Sequence, residues 1–241
     1  MLIAARTAAW AKSGSPTPVA YGGLRFTAES ANSSVQLIAV DSAPAVTLVK
    51  SFDGVNWSDY TVGEVIELPS VGDFVYLAAG EGGNETFGSS SSNYHQFVIN
   101  GLVAASGDIT SLRNFDLAQT TLAQYCYNRM FYGCTGLTSA PELPATTLAS
   151  NCYRSMFQDC TGLTSAPELP ATTLASNCYS QMFNGCTNLS LIKVHFTAWG
   201  TQTNTWVSNV SPTGTFYKPS ALPEGFGTGK IPTGWTVLNI D

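Results

Sequence analysis

The chain has 241 residues, a formal net charge of −6, 44% apolar residues and only 11% charged ones. Ten Lys and Arg in all exclude the clustered cations of a phosphate groove, and so a nucleic-acid partner, and no apolar run approaches the ~20 residues of a membrane span. Aromatic content is high and no like-charge block occurs, which excludes disorder; Ser, Thr, Asn and Gly in place of ions describe a β-rich extracellular or virion protein.

Residues 1–22 fit neither of the regions that follow. The start, Met1-Leu2-Ile3-Ala4-Ala5-Arg6, makes a poor secretion signal, because Arg6 and Lys12 break its apolar run. That leaves a removed leader, or cytoplasmic synthesis and release by lysis, as for a phage structural protein. Trp10 is read as an anchor that docks on a partner subunit, with Pro16 and Pro18 stiffening the link behind it. Residues 23–106 alternate as seven short strands: Leu24–Ala28, Val35–Val40, Val46–Phe52, Trp57–Val62, Val65–Leu68, Phe74–Ala79 and Gln96–Ala104. Turn signals between them predict an antiparallel β-sandwich. Ser51 to Trp57 reads as an Asp-Gly hairpin with a packed Trp, with a faint likeness to the Asp box of sialidases. Gly80 to Asn93, rich in Gly and Ser without a lysine, is a loop and no phosphate cradle.

Residues 107–196 are repetitive. Cys134 to Tyr153 and Cys160 to Tyr179 are the same twenty residues, 26 apart, and Cys126, Tyr127, Met130 and Phe131 recur as Cys152, Tyr153, Met156 and Phe157 and again as Cys178, Tyr179, Met182 and Phe183. Such a period denotes stacked units that bury their apolar faces on one another. Within Cys152 to Cys160 the shared positions fall at i, i+1, i+4, i+5 and i+8, the stripe of a two-turn helix, with Ser150 or Asn151 as its cap. Leu137 to Leu143 and Leu189 to Phe196 supply the strand of each unit. The fold expected is therefore β-rich α+β: an N-terminal antiparallel β-sandwich, then a short repeat solenoid, of the leucine-rich-repeat kind by the resemblance given next, with one strand and one short helix per 26 residues, then a C-terminal cap. The cap, residues 197–241, offers Trp199, Trp206, Phe216 and Trp235 to cover the last unit, and Trp235 to Ile240 as a final strand.

Leu137, Leu143-Pro144, Leu148 and Met156-Phe157-x-x-Cys160 resemble the BspA-like leucine-rich repeats, with Met where that family usually has Ala and a longer repeat than its common one. The likeness spans residues 108 to 196. Proteins of this kind occur on gut bacteria and in the genomes of their phages, so the resemblance implies adhesion or recognition.

All six cysteines lie in the repeats as C-x7-C pairs. Helical spacing would hold each pair too far apart for a disulfide, and neither a His nor a C-x2-C accompanies them, so buried free thiols are expected and no metal or other cofactor. The two histidines, His95 and His195, meet no nucleophile motif, and the chain is read as non-enzymatic; a glycan-processing enzyme would need an acid and a base across a cleft. Asp116, Glu142 and Glu168 fall 26 apart and would form an acidic column, read either as a cation or glycan-hydroxyl site or as a solvated edge. Ligand contacts are expected on the strand face at Asp116, Thr138, Glu142, Thr164, Glu168 and Lys193. These observations point to a fibre or capsid decoration on a phage virion surface, or else to a bacterial cell-surface adhesin. Its partners would be other virion subunits or its own copies, as a homo-oligomer such as the trimer common among fibres, and a host-surface glycan or protein.

Overall fold

The computed structural model describes residues 23–115 and 120–241. The described residues form twelve strands: β1 (Leu24–Ala28), β2 (Ser33–Val40), β3 (Leu48–Ser51), β4 (Ser58–Tyr60), β5 (Val65–Leu68), β6 (Phe74–Ala79), β7 (Tyr94–Asn100), β8 (Val103–Ser106), β9 (Leu137–Ser139), β10 (Leu191–Lys193), β11 (Thr215–Lys218) and β12 (Thr236–Asn239). They assemble into three sheets, ordered β4-β3-β6-β1-β8-β9, β5-β2-β7 and β10-β11-β12. Alternation drives the first two, since apolar residues at every second position bury one face. β1 alternates buried and half-buried residues along its length. Its Phe26 meets Phe97 of β7 edge to face at 4.8 Å, where the first two sheets pack together.

The chain switches between these sheets at Asn100-Gly101, where Gly101 takes φ +73°. β7 pairs antiparallel with β2, and β8 with β1. β9 then adds to β8 in parallel, through Val103 opposite Leu137. The six-stranded sheet thus runs past residue 106 into the first repeat and is not antiparallel throughout.

The expected α+β solenoid does not form. Among the described residues the only helical elements are two 3-10 turns, Ile109–Leu112 and Thr201–Thr203. The described residues are nearly all β, in three sheets. Where a helix was expected, residues 150–160 form a ribbon of linked turns. Every second N–H closes a turn to the carbonyl three residues back: Cys152 to Ala149, Arg154 to Asn151, Met156 to Tyr153, Gln158 to Ser155 and Cys160 to Phe157, at 3.1–3.2 Å. The N–H groups between them donate to the next copy: Asn151 to Ser176 O, Tyr153 to Cys178 O, Ser155 to Ser180 O, Phe157 to Met182 O and Asp159 to Asn184 O, at 2.7–3.1 Å. A helix instead spends its N–H groups on carbonyls four residues back. Left-handed residues recur every fourth position, at Asn151 (φ 58°), Ser155 (53°) and Asp159 (62°), which no right-handed helix tolerates.

The side-chain stripe is consistent with both structures. Over nine residues a period of 4.0 and one of 3.6 both leave i, i+4 and i+8 on one side. In the ribbon the period is four, and it builds two aromatic columns. Tyr127, Tyr153 and Tyr179 stack at 5.8 and 6.1 Å, and Phe131, Phe157 and Phe183 at 5.4 and 5.8 Å. All six rings are buried.

Both columns are closed by residues outside the repeat. Phe87 stacks on Tyr127 and Phe97 on Phe131, with Phe87 N–H donating to Cys126 O and Phe97 N–H to Met130 O. At the far end Trp206 stacks on Tyr179 at 6.4 Å. Tyr179, Gln181, Phe183 and Gly185 donate to Gln202, Asn204, Trp206 and Ser208. Residues 201–209, with Thr205 and Asn209 left-handed, are therefore a further ribbon. Gln202 takes the place of Cys178 and Trp206 that of Met182, an offset of 24 instead of 26 (202 − 178; 206 − 182). Changed spacing and composition hide this copy from self-comparison.

Candidate functional site

Parallel pairing lines up the strand segments of successive copies. Ser165 bridges Leu191 and Leu169 bridges Val194, and β10, β11 and β12 continue in register through Leu191, Thr215 and Thr236. Close backbone approach is part of this ladder. A Cβ on Gly162 would stand 2.6 Å from Thr135 O and 2.9 Å from Leu137 O, and Gly136 and Gly214 approach the carbonyls of Gly101 and Ser190 still more closely. Inward side chains, among them Leu163, Leu169, Ile192, Val194 and Phe216, are buried, and the alternate positions make the outer face.

Glu168 is exposed on that face, with Lys193 and His195 half-buried beside it, and Thr164 is exposed next to Ser165, the residue that bridges Leu191. The Leu169 N–H donates to Lys193 O, and the His195 N–H donates to Leu169 O. Glu168 is thereby set between the Lys193 and His195 side chains. Its Oε1 accepts from Lys193 Nζ at 2.9 Å and lies 2.5 Å from His195 Nε2. The bond from Lys193, then that from His195, holds the Glu168 carboxyl below the usual range. Thr164 lies earlier in the same segment, its carbonyl accepting the Ser190 N–H at 3.0 Å.

The other expected contacts are placed differently. Thr138 is half-buried on β9, its Oγ1 enclosed and without a hydrogen-bond partner among the described residues. Glu142 is exposed, but its ladder neighbour is Asp108: Glu142 N–H donates to Gly107 O, and Ile109 N–H donates to Glu142 O. Asp108 accepts from Thr110 N–H and Thr110 Oγ1 at 2.7 and 2.8 Å, and burial raises its pKa. Asp116, the expected head of the acidic column, and Trp10 lie outside the described residues. Among the described residues no group of three His, Cys, Asp or Glu could hold a metal ion.

His195 is the contact that sequence reasoning missed. Leu169 bridges Val194, 25 residues on, so the 26-residue offset slips by one and Glu168 falls between Lys193 and His195. Alternation alone, with Lys193 and His195 flanking the buried Val194, was the available signal.

The remaining candidates serve the fold. All six thiols are free and buried. Cys134, Cys160 and Cys186 donate to the carbonyls of Phe97, Phe131 and Phe157 at 2.9–3.1 Å. Burial pushes Cys134, Cys178 and Cys186 up to about 12 and Cys126 to about 11, which removes the thiolate needed by a nucleophile. His95 is buried with Nδ1 donating to Phe87 O at 3.0 Å, and burial lowers its pKa. Asp53 closes the Ser51–Trp57 loop, accepting from the N–H groups of Val55 and Asn56 and from Asn56 Nδ2.

Comparison with protein-family models, with curated proteins and with solved structures finds no match. The likeness to BspA-like repeats therefore rests on the quoted residues alone. No helix among the described residues is long and apolar enough to cross a membrane.

Proposed function

We propose that this chain is a non-enzymatic recognition protein that presents the outer face of its parallel ladder to a surface glycan. The observation that carries the reading is the Glu168 clamp: one carboxylate oxygen shared by Lys193 and His195 on backbone that is tied to its neighbours. Glu168, Lys193 and His195 held together on one face supply an acceptor and donors at fixed spacing, with the exposed Thr164 hydroxyl nearby in the chain, the requirement for binding sugar hydroxyls with little ordering cost. The sparse charge and hydroxyl-rich composition favour deployment on a phage virion, as a fibre or capsid decoration. The resemblance to BspA-like surface proteins favours a second setting, a bacterial adhesin using the same face.

The test is a glycan array probed with the full chain, followed by titration of any hit with Glu168→Gln and Lys193→Ala. Binding that falls at least about tenfold in both variants, ~1.4 kcal/mol, supports the reading. No glycan bound, binding indifferent to both changes, or hydrolysis of the bound glycan overturns it. Antibody labelling of intact particles distinguishes a virion from a cell surface.

A further inference from the structure

The ladder ends in an open edge, and the open edge is self-complementary. Within β12 the Thr236 N–H donates to Gly214 O, and the Ile240 N–H just beyond donates to Lys218 O, so alternate residues face β11. The N–H and C=O groups of Val237 and Asn239 consequently face away from β11, and no strand among the described residues pairs with that side. The edges at β4, β5 and β7 are guarded. β4 is three residues long and carries Asp59, β5 carries the exposed Glu67, and β7 is covered where Phe97 donates to Met130 O. β12 has no charge, proline or bulge, and its Leu238 is 43% exposed. An edge of that kind invites another strand.

We propose that β12 pairs antiparallel with β12 of a second copy of this chain, about a twofold axis through Leu238. In this register Val237 lies opposite Asn239 of the other copy and the two exchange both backbone bonds, twice over by symmetry, so four donors meet four acceptors. Leu238 packs on its own counterpart in the close, non-hydrogen-bonded pair between them. Asp241 falls opposite Trp235, and no like charges oppose. Centring the axis on Val237 would set Asn239 against Trp235, whose N–H already donates to Pro232 O. The strand therefore matches itself in the Leu238 register. A closed pair consumes the edge, so the assembly is a dimer and not the trimer of a fibre.

Two measurements on the full chain test this. Sedimentation gives a dimer for the native sequence and a monomer for Leu238→Lys, with the thermal midpoint of the variant's fold retained. Independently, Leu238→Cys places two thiols at a Cα separation of about 4.5 Å, inside the disulfide range of about 4.4–6.8 Å. It cross-links into a dimer under air, while Thr236→Cys, opposite Ile240, cross-links at least about tenfold more slowly. The six native thiols are buried and do not compete. A monomeric native protein, a dimer that survives Leu238→Lys, or equal cross-linking at both positions overturns the proposal.

Discussion

Replacing Gly133 by Ala separates a ribbon of turns from a helix by the sign of its effect. Gly133 holds φ +69°, and a Cβ built on it meets nothing within 4 Å, so the substitution adds no clash. Its N–H, which donates to Gln158 O at 2.8 Å, is kept. Only the backbone preference changes. The left-handed conformation costs an L-residue about 1–2 kcal/mol, and stiffening the unfolded chain returns about 0.4–1 kcal/mol. The net is a destabilisation of about 1 kcal/mol, a fall in Tm of about 2–4 °C for a chain of this size. Were residues 126–134 a helix, the same change would stabilise by about 1 kcal/mol. Gly133→Asn falls between, because Asn tolerates the left-handed region. Differential scanning calorimetry and urea titration of the three proteins decide the matter. A Gly133→Ala protein at least as stable as the native one refutes the ribbon.

Phe157→Ala removes a buried ring from between Phe131 and Phe183. The cavity costs about 3–5 kcal/mol, read as a lowered urea midpoint, and a cost below about 1 kcal/mol contradicts the stacked column. Native protein leaves a thiol reagent such as DTNB unreacted and titrates all six cysteines once unfolded; a fast-reacting thiol in the native state contradicts their burial. His95 is held neutral by burial, with its pKa depressed relative to the unfolded value of about 6.5. Its contribution is fully present above that value and is lost as pH falls through the folded pKa, because the unfolded chain takes up the proton first. Urea midpoints should drop between pH 7 and 5, and His95→Leu should shrink that drop; an unchanged drop contradicts the assignment.

The sheets were legible where alternation was strong. The spans read for Leu24–Ala28, Val65–Leu68 and Phe74–Ala79 are those of β1, β5 and β6. Gln96–Ala104 was read as one strand and is two, β7 and β8 in different sheets, although Asn100-Gly101 carries the turn signal that parts them. Along the candidate face, Glu168 and Lys193 were legible as outward polar residues of one ladder. His195 was legible as facing outward, but its contact with Glu168 was not, because a one-residue slip in pairing between Leu169 and Val194 has no trace in a single copy's pattern.

The 26-residue repeat by itself pointed to identical segments lying against one another, since a Tyr and a Phe recurring at one position can bury each other copy on copy. It also determined which side chains would be inside. Tertiary structure alone decided what the backbone does between them. An i, i+4, i+8 stripe fits two backbones equally, and the choice depends on whether alternate N–H groups close local turns or reach the adjacent copy. That partner lies 25 residues along the chain, and in the last copy 23 (Tyr153 to Cys178, Tyr179 to Gln202), where no window on the sequence can see the bond.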